Sequence, residues 1–239
     1  MTWVEFKLFL REPVGAFFTL VFPLMLLFIF GSIFGNQPEA MMGGYGAVDV
    51  STPAYIAMIV GTTGLLSAPI SLVSYREQGI LRRFRATPLR PAAVIGGQVV
   101  MNFGMTTLGV ALLCAASSLA YGVRPPEDLL AVAAAFCLSI ASFLSAGFIL
   151  AALLPTARTA QIVGMAIFYP MLFLSGAGVP RQVMPEIIQR ISEFLPLTHV
   201  NILLSDLWFG RGWSAASVAV LAALLVIGAL VSARLFRWE

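Results

Sequence analysis

Six apolar stretches dominate this chain, at 14–34, 54–73, 92–119, 129–154, 160–179 and 213–233. Each is long enough to cross a bilayer, since a helix traverses roughly 30 Å of hydrocarbon with about 20 residues. Inside lipid every backbone N–H and C=O must find its partner within the protein. The expected fold is therefore an all-α polytopic membrane protein with six transmembrane helices. Composition agrees: 59% of the 239 residues are hydrophobic and 10% are charged, where soluble domains carry roughly 25% charge. A mean hydropathy of +0.94 leaves too much apolar surface for a water-soluble fold to hide. The third and fourth stretches exceed the needed length, which predicts tilt or protruding ends. Pro23, Pro69 and Pro170 fall inside spans and are expected to kink them.

An even number of spans puts both termini on one side, and Lys and Arg then set the orientation. With the N-terminus inside, the inner side holds Lys7, Arg11, Arg76, Arg82, Arg83, Arg85, Arg90, Arg158, Arg234 and Arg237. The outer side holds only Arg124, Arg181, Arg190 and Arg211. Both termini are thus expected in the cytoplasm. The first run is longer than a signal-peptide core and lacks a clean cleavage site, so it reads as a retained span. Residues 1–12 read as an interfacial segment, with Trp3, Phe6 and Phe9 against the inner surface. Trp208, Phe209 and Trp213 are expected at the outer interface, Phe236 and Trp238 at the inner one.

Residues 74–91, SYREQGILRRFRATPLRP, are the densest charge in the chain. Over 75–86 the pattern predicts a short helix with Ile80, Leu81 and Phe84 on its apolar side. Pro88 and Pro91 stop it, and Thr87 is pushed out of helical geometry by the proline that follows. Gly79 weakens it by about 1 kcal/mol relative to alanine, which points to a bend or a close approach. Two readings stay open on these residues alone. The arginines can anchor the loop on anionic lipid, or the segment can dock onto a soluble cytoplasmic partner. Glu77, Gln78 and Gly79 suit the second, since a pure lipid anchor needs neither acid nor glycine.

Other chemistries find little support. A P-loop needs the pattern G-x-x-x-x-G-K-[ST], and the sole lysine, Lys7, follows Phe6. The chain therefore carries no ATP site of that kind. The single His199 cannot build a multi-histidine metal site. A Ser175–His199 dyad is the enzyme alternative, although Leu172, Phe173 and Leu174 stand where a G-x-S motif wants glycine. Cys114 and Cys137 lie in apolar runs without ligand-type spacing and read as free thiols. No charged residue lies well inside an expected span, which argues against a proton-coupled secondary transporter. The net charge of +3 comes from basic residues at the ends of apolar runs, so nucleic acid is not an expected partner. Thirteen arginines against one lysine hint at a GC-rich bacterial genome.

Beyond the fifth span, 184–195 predicts an amphipathic helix with Ile187, Ile188, Ile191, Phe194 and Leu195 on one face. Pro185 starts it and Pro196 ends it, and Glu186 pairs with Arg190 at i,i+4. NILLSDLWFG then follows, apolar but too short to span. The extracytoplasmic segment 180–212 is expected to hold short interfacial or re-entrant helices.

Three segments together resemble the permeases of the ATP-binding-cassette (ABC) type 2 exporter family. REQGILRRFRATPLRP is similar to the family's loop after the second span, with Glu77, Gly79, Leu81, Arg82, Arg83, Thr87 and Pro88 matching in order. FLSGAGVPRQVMPEIIQRISEFLPLTHV resembles its segment after the fifth span, and REPVGAFFTLVFPLMLLFIFG its first span. The resemblance implies one type-2 ABC transmembrane domain over 1–239. It implies a cytoplasmic coupling helix within 75–91, docking a separate ATPase through Arg76, Glu77, Gln78, Gly79, Leu81, Arg82, Arg83 and Arg85. Two permease chains, identical or related, would pair with two ATPase subunits that bind the ATP and Mg, this chain binding no cofactor itself. It further implies a path lined by the second and fifth spans, giving Thr62, Thr63, Ser67, Gln161, Met165 and Tyr169 as candidates. The implied activity is export of a drug, antibiotic or lipid-like compound across a bacterial plasma membrane, with polysaccharide or haem as the alternative cargo.

Overall fold

The structure, a computed structural model, describes residues 15, 17–39, 42–79, 91–177 and 184–235. It is all-helical among the described residues: α1 (Phe17–Phe34), α2 (Ala47–Glu77), α3 (Pro91–Tyr121), α4 (Leu129–Leu153), α5 (Ala157–Leu174), α6 (Glu186–Ser192), α7 (Pro196–Trp208) and α8 (Ala215–Leu235). Of these, α1 to α5 and α8 are the six long and apolar enough to cross a membrane. They alternate in direction. One end of the bundle leads into the arginine patch; the opposite end carries 35–39, 42–46, 122–128 and 184–214.

The bundle is built around α2. Its most apolar stretch is 89% buried, against 17% for α8 at the periphery. Close approach to α2 is made possible by glycine. Gly147 of α4 lies against the Gly64 backbone, and Gly164 of α5 lies against the Leu65 carbonyl. Serines join α4 to α8: Ser142 donates to the Leu221 carbonyl at 2.8 Å and Ser145 to that of Leu224 at 3.2 Å. Such small, hydroxyl-bearing contacts replace the hydrophobic drive that lipid abolishes between apolar helices.

Pro23 and Pro69 deform their helices in one way. Each follows a widened π stretch, Phe17–Val21 and Thr63–Ser67 respectively. A proline has no N–H for the carbonyl four residues earlier, and its ring crowds that carbonyl, so the preceding turn opens. Pro170 lies inside α5, in regular helix.

Two helix ends and the placement of one short helix differ most from expectation. The second helix starts at Ala47 rather than 54, because Asp49 and Gly46 close its first turn and Pro53 is tolerated inside it. The fifth ends at Leu174 rather than 179, with Ser175 capping it and Gly176 turning away at φ +87°. α7, formed by the stretch too short to span, packs within the bundle against α2, α4, α5 and α8; Leu197, Val200, Leu203 and Leu204 are fully buried. Trp208 at its end is buried too and donates to the Arg124 carbonyl at 3.2 Å, so it is a packing residue rather than an interfacial anchor. α6 keeps Ile187 and Ile191 exposed, and Phe194 just beyond it is exposed as well. Its Glu186 and Arg190 pair at 2.8 Å.

Candidate functional site

The last turn of α2 leads into the arginine patch and is fastened before it gets there. Arg76 donates to the Ala151 carbonyl at 3.1 Å and also to the Leu154 carbonyl. These carbonyls belong to the last turn and the C-cap of α4, where a helix leaves acceptors unpaired and its dipole favours a cation. The adjacent Glu77 accepts from the Ala157 N–H at 3.0 Å. That amide is the first of α5, where donors are unpaired and the dipole favours an anion. Two neighbouring residues of opposite charge thus grip opposite helix ends across the short α4–α5 turn. Thr156 and Thr159 complete the turn, each hydroxyl accepting from the other's backbone N–H at 3.1 Å.

Beyond the clasp the helix ends. Gln78 donates to the Ser74 hydroxyl at 2.9 Å. Gly79 takes φ +67°, a left-handed turn that a residue with a Cβ rarely adopts. Leu81, Arg82, Arg83 and Arg85, the core of the expected coupling helix, lie outside the described residues.

The path candidates fall into two groups. Thr62, Thr63 and Ser67 are buried inside the bundle. Thr62 bonds back to the Ile59 carbonyl at 2.8 Å, and the Thr63 and Thr106 hydroxyls meet at 2.9 Å. Ser67 has no hydrogen-bond partner among the described residues. Gln161, Met165 and Tyr169, spaced i, i+4 and i+8, form a half-buried row along α5. Tyr169 stacks edge-on to Phe18 of α1, ring centres 6.1 Å apart. α5 meets α2 through Gly164 and Phe168 instead, so the two groups do not share one surface.

Ser175 and His199 do not pair. Ser175 bonds to the Leu172 carbonyl at 3.2 Å. His199 bonds to the Glu193 carbonyl through Nε2 at 2.8 Å and to the Ser217 hydroxyl through Nδ1 at 3.3 Å. A carbonyl can only accept, so Nε2 donates to it. This histidine joins α7 to the start of α8. No group of His, Cys, Asp or Glu among the described residues could hold a metal ion.

A buried knot at the opposite end went unread in the sequence. Asp49, 4% exposed, accepts from the Gly46 N–H at 3.1 Å and the Arg124 N–H at 3.0 Å. Asn36 accepts from the Asp49 N–H at 3.0 Å and donates to the Tyr121 carbonyl at 3.1 Å. The signal available was a glycine three residues ahead of an aspartate, a helix-start pattern, before an apolar run.

Residues 1–209 match the family described as ABC-2 type transporter. The daunorubicin resistance ABC transporter permease protein DrrB1 of Streptomyces coeruleorubidus is 28% identical over 227 residues, covering 91% of this chain and 76% of its own. Nodulation protein J of Neorhizobium galegae is 26% identical over 206 residues, covering 83% and 76%. The inner membrane transport permease YhhJ of Escherichia coli strain K12 is 22% identical over 208 residues, covering 85% and 53%.

Proposed function

The chain belongs to the ABC-2 type transporter family, and from that premise we propose that it is the permease subunit of an exporter driven by ATP hydrolysed on separate subunits. Two permease chains stand side by side in a bacterial plasma membrane, with both termini and the arginine patch in the cytoplasm. Two ATPase subunits hold the ATP and Mg and dock on 75–91. Leu81, Arg82, Arg83 and Arg85 make the contact, and Arg76 to Gly79 pass its movement on.

The clasp carries this reading. Arg76 and Glu77 tie the end of α2 to the ends of α4 and α5. A push on the patch therefore displaces three helices together, one of them the buried axis of the bundle, instead of bending a loose loop. The proposed cargo is hydrophobic or amphipathic: a drug, an antibiotic or a lipid-like compound. The uncharged α5 row of Gln161, Met165 and Tyr169 suits such a cargo. So does the likeness to a permease named for daunorubicin resistance.

The test is capture of the ATPase from the host, followed by ATP-driven transport in inverted vesicles. The Arg82→Ala, Arg83→Ala, Arg85→Ala variant is expected to insert normally and lose capture. The Arg76→Ala, Glu77→Gln variant is expected to keep capture but hydrolyse ATP without transport. Normal capture and transport in the first variant would sink the docking role. Transport of a polysaccharide or haem, with no drug or lipid moved, would replace the proposed cargo.

A further inference from the structure

Between α3 and α4, at the end away from the arginine patch, lies a half-open cavity of about 350 Å³. Val110 and Cys114 of α3 form one wall, Val132 and Phe136 of α4 the other, with Ile56 of α2 among the lining residues. The connection between the two helices and Trp208 close its top. The gap exists because the facing residues are small. Ala111 and Ala133 are among the lining residues, and a longer side chain at either would take up part of the space. Two of its three lining hydroxyls bond back to their own helix: Thr107 donates to the Phe103 carbonyl at 2.8 Å and Ser117 to that of Cys114 at 3.0 Å, while Ser118 is the third. One turn below Thr107, Phe103 and Phe136 touch, ring centres 5.9 Å apart, and close the groove there. At 1.5 Å per residue, the stretch of α3 that lines it is roughly 17 Å long.

The same two helices carry exposed leucines: Leu108, Leu112 and Leu119 on α3, and Leu130 and the cavity-lining Leu129 on α4. On a spanning helix such a face meets lipid. At the mouth stands Arg124, exposed, its guanidinium 5.5 Å from the Tyr45 ring centre. It has no carboxylate partner among the described residues. A cation and an aromatic at a helix end, above an apolar slot along the helix, match one molecule in polarity: a phosphate above an acyl chain.

We propose that this groove is a binding site for one phospholipid, with an acyl chain between α3 and α4 and its phosphate on Arg124. It shares no residue with the α5 row and stands whether or not the exported cargo is the one proposed above. The bound chain fills the gap between two consecutive helices that otherwise barely meet.

The full chain, reconstituted in phosphatidylglycerol vesicles with a trace of phosphatidylglycerol bearing a mid-chain diazirine, tests this. After illumination, adducts are expected several-fold denser on the α3 and α4 walls than at Val226 and Ile227, which are exposed on α8. Ala133→Phe, or Ala111→Phe should the first misfold, is expected to remove the excess. Arg124→Gln is expected to reduce it, and a diacylglycerol with the same photoreactive chain to label the groove less. Equal labelling of groove and α8 overturns the site, as does an unchanged excess in a folded groove-filling variant. Equal labelling by diacylglycerol overturns the phosphate contact. Cross-linking of Cys114 between copies, with Cys137→Ala, would assign the groove to a second chain instead.

Discussion

At Asp49 one carboxylate serves two backbone amides, those of Gly46 and Arg124, at 3.1 and 3.0 Å. Alanine there would leave both without their acceptor in a site that is 4% exposed. An unsatisfied buried donor costs about 1–3 kcal/mol. Asp49→Ala is therefore expected to lower stability by roughly 2–4 kcal/mol, read as a lower midpoint in SDS titration of the detergent-solubilised chain. Asp49→Asn keeps one carbonyl acceptor and should lose less. Equal loss from both would mean that the charge, not the pair of bonds, holds the knot. Arg76 and Glu77 follow the same rule at the other end, since each satisfies groups that a helix end leaves open.

Among elements, α2 and the helices around it are matched by proline and glycine. Pro23 cannot donate to the Thr19 carbonyl, nor Pro69 to that of Leu65, each four residues earlier. Those two carbonyls are the ones against which neighbouring glycines pack, Gly109 of α3 and Gly164 of α5. A proline opens a turn on one helix, and a glycine on the next lets the backbones close on it. Valine at Gly164 or Gly147 would drive a side chain into backbone, and backbone cannot swing aside as a side-chain tip can. Each is expected to cost about 1–3 kcal/mol, measured by the same titration. Gly104 has nothing within 4 Å of where its Cβ would be. Gly104→Ala should be neutral or stabilise by about 0.5–1 kcal/mol, by helix propensity alone. A loss at Gly104 equal to that at Gly147 would show that open space beside a glycine does not spare it, and that close packing is not what sets the cost at these positions.

For the whole molecule, burial separates the helices that hold the bundle together from those that face outward. α2 is nine-tenths buried, while α1 and α5 are 22% and 28% buried over their spans. On the proposed pairing of two permease chains, the half-buried α5 row, beside Phe18 of α1, is the surface to test for contact with the second chain. With Cys114 and Cys137 replaced by alanine, Gln161→Cys is expected to cross-link two copies in membranes, and Val226→Cys on α8 is not. Cross-linking at Val226 with none at Gln161 would move the pairing surface to the other side of the bundle.

The six spans, the all-helical class and the α4–α5 turn were legible in the linear sequence. They follow from run length and from the need to satisfy every backbone group locally in lipid, and neither depends on distant contacts. The family was legible too, because its motifs are short and ordered along the chain. The start of α2 was hidden by Asp49 and Pro53, which look like loop residues until Arg124, 75 positions away, supplies the carboxylate with a partner. The burial of α7 was equally out of reach, since 13 residues cannot span a bilayer and only a surrounding bundle shelters them. Which threonines are core and which face is open depends on packing between helices far apart in sequence. Periodicity says that a helix has faces; only the tertiary structure decides what each face meets, because that is fixed by neighbours the local pattern does not encode.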